Sequence, residues 1–308
     1  MNHSTDSISR LKTVERFMQD ALDGATYFPQ KSGRPLPGPE QLKRIVDLVK
    51  EIVFPGFFSA STMHPLNQRC CMGTLLDHLN VLLKEQIANG LYFFAEADAA
   101  KTDNDAPELA LAFIERLPEV RRLLYTDVKA MFNNDPATDS FGEVIICYPS
   151  IQAMIHYRIA HELLLLDVPV LPRIITELAH SAIGIDIHPG ARIGEYFSID
   201  HGTGVVIGET CIIGNHVHLY QGVTLGARNF VLDERGLPLN VPRHPILEDN
   251  VIVYSNSTVL GRITIGHNSV IGGNVWLTGS VPPHSRIVQR RASAGGTSTD
   301  LFSFGEGI

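Results

Sequence analysis

Hydrophobic positions along the chain follow two periods, and the switch falls near Ile183. Upstream, Ile8, Leu11, Val14, Phe17, Met18 and Ala21 recur every three to four residues. Leu42, Ile45, Val46, Val49, Ile52 and Val53 do the same, as do Leu75, Leu76, Leu79, Leu82 and Leu83, and Ile151, Met154, Ile155, Ile159, Leu163 and Leu166. That spacing puts apolar side chains on one face of a helix. Breakers at Ser32–Pro39, Pro107, Pro118, Pro149 and Pro169–Pro172 are read as helix ends. An all-helical N-terminal domain is predicted over 1–180.

Downstream, Ile187, Ile193, Ile199 and Val205 are six apart. Ile207, Ile213, Leu219 and Leu225 form a second train, shifted by two, and Leu247, Val253, Val259, Ile265, Ile271 and Leu277 form a third. Neither a helix nor an alternating strand has a period of six, whereas a hexapeptide-repeat β-helix does. Each hexad then supplies one short strand whose aliphatic residue points into a prism. Gly194, Gly208, Gly214, Gly226, Gly266 and Gly272 follow apolar positions and are read as permitting the backbone of the corners. The prism is predicted over 181–285, with a polar, irregular loop inserted at 228–244 and a flexible tail over 286–308. A long loop at a fixed place in a repeat scaffold is commonly functional.

Composition adds boundaries to this α + β plan. The chain has 308 residues, 44% of them hydrophobic, which excludes disorder for most of it. Twenty-five basic residues against 33 acidic ones give −8, which argues against a general nucleic-acid or membrane-surface binder. No apolar run reaches a membrane span, and Met1–Arg10 has no signal-like core, so a cytoplasmic protein is expected. Cys70, Cys71, Cys147 and Cys211 are read as reduced thiols.

The candidate chemistry starts at His201, which interrupts an aliphatic train within Asp200-His201-Gly202-Thr203-Gly204. Asp186 lies fifteen residues earlier, about one turn of a three-hexad coil. A histidine oriented by a carboxylate is suited to take a proton from a hydroxyl.

These residues resemble a known family. Asp186-Ile187-His188-Pro189, the run from Asp200 to Thr210, Tyr220-Gln221-Gly222-Val223-Thr224-Leu225-Gly226 and Arg243-His244-Pro245 look like serine O-acetyltransferase. Asp135-Pro136-Ala137-Thr138-Asp139 and His156–His161 extend the resemblance into the helical half. It implies a left-handed parallel β-helix and transfer of acetyl from acetyl-CoA to the L-serine hydroxyl, giving O-acetylserine for cysteine synthesis. His201 is then the general base and Asp186 its orienting carboxylate. Backbone N–H groups around Gly226-Ala227 face the oxyanion, Ala227 standing where a second glycine is common. Arg243 takes the serine carboxylate, Asp135 and Asp200 its ammonium, and His244 completes the pocket. Ser255 and Gly273 line the wall for the pantetheine arm, and Arg290, in a stretch with Arg286 and Arg291, meets CoA phosphate. No metal is implied. The resemblance also implies inhibition by L-cysteine, docking of the C-terminal Ile308 into O-acetylserine sulfhydrylase, and a homo-oligomer, a hexamer built as a dimer of trimers or else a trimer.

Other readings place different weight on the same residues. A γ-type carbonic-anhydrase-like enzyme would use His201, His216 and His218 as zinc ligands. An acyltransferase for a sugar or another amine leaves the pairing of Asp135 with Arg243 unexplained. A non-catalytic scaffold for the sulfhydrylase leaves His201 and Asp186 unexplained.

Overall fold

The computed structural model describes residues 3–23, 33–58, 68–94 and 99–289. Seven helices precede the strands among these residues: α1 His3–Asp23, α2 Pro39–Val53, α3 Gln68–Phe94, α4 Ala99–Asn134, α5 Phe141–Cys147, α6 Pro149–Leu165 and α7 Leu171–Ile183. By its contacts the chain divides into two units, one running to Leu36 and one from Pro37. In the first, α1 exposes its apolar stripe of Ile8, Leu11, Val14, Phe17 and Met18.

In the second unit, local signals and burial agree at most helix ends. Proline opens α2 and α6 at a position with no intrahelical N–H partner to lose. Ser140 caps α5 by accepting from the Glu143 N–H. Gly184, left-handed at φ 71°, ends α7. Pro107 and Pro118 are different, because both lie inside α4 rather than ending a helix. Each costs about 3 kcal/mol in a helix interior. Phe113, Leu117, Val120, Leu124, Val128 and Met131 are buried along that helix. At ~1.5–3 kcal/mol for each large apolar side chain, their burial outweighs the two breaks.

The strands are β1 Asp186–Ile187, β2 Arg192–Ile193, β3 Ser198–Ile199, β4 Val206–Ile207, β5 Ile212–Ile213, β6 His218–Leu219, β7 Thr224–Gly226, β8 Ile246–Leu247, β9 Ile252–Val253, β10 Thr258–Leu260, β11 Thr264–Ile265, β12 Val270–Ile271, β13 Trp276–Leu277 and β14 Arg286–Ile287. They deal out in turn to three parallel sheets: A (β1-β4-β7-β10-β13), B (β2-β5-β8-β11) and C (β3-β6-β9-β12-β14). This is the β-helix expected from the period of six, in the left-handed form that the resemblance implies. The second residue of most strands (Ile187, Ile207, Leu225, Val259, and their equivalents in B and C) points into a closed apolar core.

Register explains the shift between trains. Asp186 pairs with Val206, whereas Thr258 pairs with Trp276, so the first coil is two residues longer. The extra residues sit at the corner between sheets C and A, beside His201. Thr224 pairs with Thr258 because the inserted loop leaves the prism between sheets A and B. That loop is not irregular. Leu232 and Pro238 form an antiparallel bridge, Leu239 N–H donates to Val231 O at 2.7 Å, and Asp233 anchors the turn through Arg235 and Leu237. Nor is it merely polar, since Phe230, Val231, Leu232, Leu237 and Leu239 are exposed on it.

The hexad glycines also act differently from expectation. None of Gly194, Gly208, Gly214, Gly226, Gly266 and Gly272 has positive φ. The left-handed corners are filled by Tyr196, His201, His216, Asn250, Asn256, Asn268, Asn274 and His284 among others. The hexad glycines supply room instead: a Cβ on Gly214 would sit 2.4 Å from Asp249 Oδ1 of the next coil.

A buried joint connects helices to prism. Arg158 donates through Nε and Nη2 to the two oxygens of Asp127, both at 3.1 Å, and through Nη1 and Nη2 to Ile193 O and Gly194 O. Tyr157 donates to Ala191 O at 2.7 Å. Four hydrogen bonds to carboxylate and backbone oxygens compensate this desolvated pair, which is the condition for burying it.

Candidate active site

The candidate side chains gather at two corners of the prism. The first lies between sheets C and A. His201 stands there in the left-handed region (φ 56°), with its side chain 65% exposed. Holding a non-glycine residue so costs on the order of 1 kcal/mol. Its Nδ1 is 3.7 Å from Asp200 Oδ1. Asp135, just beyond the end of α4, is near enough for His201 to act on its carboxylate. Tyr148 donates to Asp135 Oδ2 at 2.5 Å and Ala137 N–H to Oδ1 at 2.8 Å. The Tyr148 hydroxyl and then the Ala137 N–H hold the Asp135 carboxyl below the usual range. Burial and this carboxylate push Tyr148 up to about 12, so the phenol stays a donor.

Asp186 begins β1 at the same corner, its N–H bonded to Val205 O. Among the described residues no hydrogen bond joins it to His201. Its carboxylate instead lies within 4.8 Å of ligand atoms of Glu177 and His180, both exposed on α7.

The second corner lies between sheets A and B, at the base of the inserted hairpin. Arg243 Nη2 donates to Glu209 Oε2 at 2.5 Å, and Nη1 reaches Asn240 Oδ1 and Val241 O at 3.3 and 3.4 Å. Burial raises the Glu209 carboxyl, but the Arg243 hydrogen bond, the nearby charges of His188 and Arg243 and the Asn240 hydrogen bond together make the net shift downward. Thr210 Oγ1 accepts from the N–H groups of Arg243 and His244, so its own proton goes to His244 Nδ1 at 2.9 Å. Thr210 N–H donates to the same Nδ1 at 3.1 Å. Nδ1 is thus an acceptor, and the imidazole carries its proton on Nε2. Desolvation, then neighbouring Arg243, pushes His244 down to about 4, so it is neutral at pH 7. Gly208 makes room for this ring, since a Cβ there would lie 2.0 Å from His244 Cδ2. Arg262 Nη1 fastens the corner by donating to Thr210 O and His244 O.

The remaining candidates fall along these two corners. Gly226 ends β7 and Ala227 follows it at the A-to-B corner, where Gly261 N–H donates to Gly226 O. Ser255 and Gly273 lie on adjacent coils of the C-to-A corner, and Asn274 N–H donates to Ser255 O. Arg290, Arg291 and Ile308 lie outside the described residues, as does the side chain of Cys70. His201, His216 and His218 form no ligand cluster among the described residues: His216 stacks on Tyr196, and His218 bonds Ser198. Glu209, Thr210 and Tyr148 had no assigned role in the sequence reading, although Glu209 and Thr210 fall inside a quoted motif. No helix among the described residues is long and apolar enough to cross a membrane.

Known proteins resemble this chain in sequence and fold. Residues 244–279 match the family model described as bacterial transferase hexapeptide (six repeats). A plasmid-encoded serine acetyltransferase of Synechococcus elongatus is 46% identical over 281 residues, covering 89% of this chain and 86% of that protein. The Bacillus subtilis serine acetyltransferase is 43% identical over 167 residues, 54% of this chain and 73% of that protein. Isoform 3 of the Entamoeba histolytica enzyme, solved with cysteine, superposes with TM-score 0.69 at 30% identity over 95% of this chain and 96% of that one. The Neisseria gonorrhoeae enzyme, solved with serine, gives 0.54 at 26% identity over 81% of this chain and 97% of that one. With 46% identity across most of both proteins, this chain belongs to the serine acetyltransferase family of hexapeptide-repeat acyltransferases.

Proposed function

We propose that the protein transfers acetyl from acetyl-CoA to the L-serine hydroxyl by direct attack, giving O-acetylserine and CoA. His201 takes the hydroxyl proton as the serine oxygen bonds to the thioester carbon. Asp186, turned toward the ring, stabilises the imidazolium. The tetrahedral oxyanion faces backbone N–H groups around Gly226-Ala227. Its collapse breaks the carbon–sulfur bond, and His201 returns the proton to the CoA thiolate. No acyl-enzyme is required, and the chemistry needs no metal.

The observation that carries this reading is Asp135, a carboxylate kept ionised by Tyr148 and Ala137 N–H beside an exposed histidine. It suits an ammonium whose hydroxyl must reach His201, with Asp200 adding a second negative charge. Arg243 and the neutral His244 Nε2–H suit the serine carboxylate. Arg243 then exchanges its long contacts to Asn240 and Val241 for the substrate. Ser255 and Gly273 offer a low wall for pantetheine, and Arg290 a charge for CoA phosphate.

The two sets flank sheet A on opposite edges, between β3 and β4 and between β7 and β8. A two-residue strand and its turn span on the order of 10 Å, more than one serine bridges. The complete site therefore lies between neighbouring copies, in a trimer or a hexamer made of two trimers. L-Cysteine, nearly isosteric with serine, competes at Asp135 and Arg243. The terminal Ile308 carboxylate docks into O-acetylserine sulfhydrylase by resembling an amino-acid substrate. The relatives solved with cysteine and with serine support the ligand assignment.

Thiol release from acetyl-CoA tests the reading. Wild type releases CoA only with serine, and millimolar cysteine raises the serine KM. His201→Ala and Asp186→Asn lose activity. Serine-independent release, or full activity in His201→Ala, overturns it.

A further inference from the structure

We propose that Asn134, Ser198 and His218 form a positioning network that sets Asp135 against His201. The inference rests on the assignment of Asp135 to the substrate ammonium and His201 to the base. Asn134 is the last residue of α4 and the chain neighbour of Asp135. Ser198 opens β3, the strand that leads through Asp200 into His201. His218 opens β6 and pairs in register with Ser198. Three helical and prism segments thus meet at one triangle of side chains.

The hydrogen bonds have a definite sense. Asn134 Nδ2 donates to Ser198 Oγ at 2.9 Å and reaches His218 Nδ1 at 3.3 Å. Ser198 Oγ, having accepted, donates its proton to His218 Nδ1 at 2.5 Å. His218 Nδ1 is an acceptor on both counts, and burial favours the neutral ring by lowering its pKa. Ser198 and His218 are 2% and 7% exposed, so their mutual hydrogen bond is shielded from water, and Asn134 reaches them from the exposed end of α4. A buried Ser198–His218 pair tied to the end of α4 by directional hydrogen bonds fixes geometry more firmly than apolar packing. The triangle spans the gap between the element that presents the carboxylate and the element that presents the base. Tyr148 and Ala137 aim the Asp135 carboxylate, and Asn134 fixes where its backbone sits.

Misplacing a binding carboxylate by a fraction of an ångström weakens substrate positioning without removing the base. Asn134→Ala and His218→Leu should therefore raise the serine KM about tenfold, the worth of one or two net hydrogen bonds. The acetyl-CoA KM should stay close to wild type, and the melting temperature should fall by only a few degrees. His218→Asn, whose amide oxygen stands near the Nδ1 position, should recover most of the serine KM. Ser198→Ala, the smallest change, should show the same selective rise if a larger variant fails to fold. An unmoved serine KM in folded variants overturns the network. So does a parallel loss in both KM values, kcat and thermal stability, which marks a purely structural joint. A wild type that releases no CoA with serine overturns the parent assignment instead, so the two failures are distinguishable.

Discussion

The two corners of the prism are built on opposite plans. At the C-to-A corner the histidine is open to solvent, and its nearest ionic partner is 3.7 Å away. At the A-to-B corner Arg243, Glu209, Thr210 and His244 are locked by hydrogen bonds and half-buried or better, with the exposed Arg262 fastening them from outside. The difference begins in local sequence. Two extra residues push the first corner outward and leave His201 in a strained left-handed turn. Thr210 staples the second corner, using its hydroxyl and its N–H on three partners. A group that must gain and lose a proton needs access, whereas a group that recognises a carboxylate gains from a fixed fork.

The largest break in this contrast is His201→Ala. It should lower kcat about 10²–10⁴-fold, the range of a single general base. The serine KM should move little, because the carboxylate and ammonium contacts remain. Steady-state kinetics with serine varied at saturating acetyl-CoA checks the split, and a raised KM at full kcat would reverse the roles of the corners.

Arg243→Ala comes next. Loss of a charge-assisted contact worth ~1.5–3 kcal/mol should raise the serine KM roughly 10–100-fold. The acetyl-CoA KM should hold. Arg243→Lys should recover little of it, because an ammonium does not reproduce the planar fork. Equal effects on both substrates would show that Arg243 only holds the hairpin.

A smaller effect tests the lock itself. Gly208→Ala places a methyl on the His244 ring, displacing it or the adjoining coil. Overpacking of this kind costs about 1–3 kcal/mol. Urea denaturation should show that loss. The equivalent change at Gly279, where a Cβ meets nothing within 4 Å, should cost much less.

These contrasts were unevenly visible in the chain. The trains from Ile187 to Leu277 revealed the prism because hexad burial is a local, repeating property, and the shift by two marked the long coil at His201. Asp135 and Arg243 emerged through motifs. The Glu209–Arg243 bond and the Thr210 staple did not, because they join residues on either side of the inserted hairpin. The Asn134–Ser198–His218 triangle was hidden for the same reason: only the fold brings α4 onto β3. The hexad glycines misled because sequence does not distinguish a glycine needed for φ from one needed for space. The prolines of α4 misled because tertiary burial outweighed local cost.

The mildest test separates the corners by pH. His244 is held near 4 in the fold, against about 6.5 when unfolded. Above pH 6.5 the ring is neutral in both states, and its contribution to stability is fully present. As pH falls from 6.5 toward 4, the unfolded chain binds a proton that the folded ring refuses, and stability declines. His156, half-buried on α6 and also held at about 4 by desolvation, adds to the same acid limb. His244→Asn keeps an acceptor for Thr210 but removes the titration, so it should flatten part of the limb and leave the His156 share. Urea midpoints at pH 7 and pH 5 measure this. An unchanged difference between the two midpoints in His244→Asn would mean that the A-to-B corner is looser than its hydrogen bonds imply.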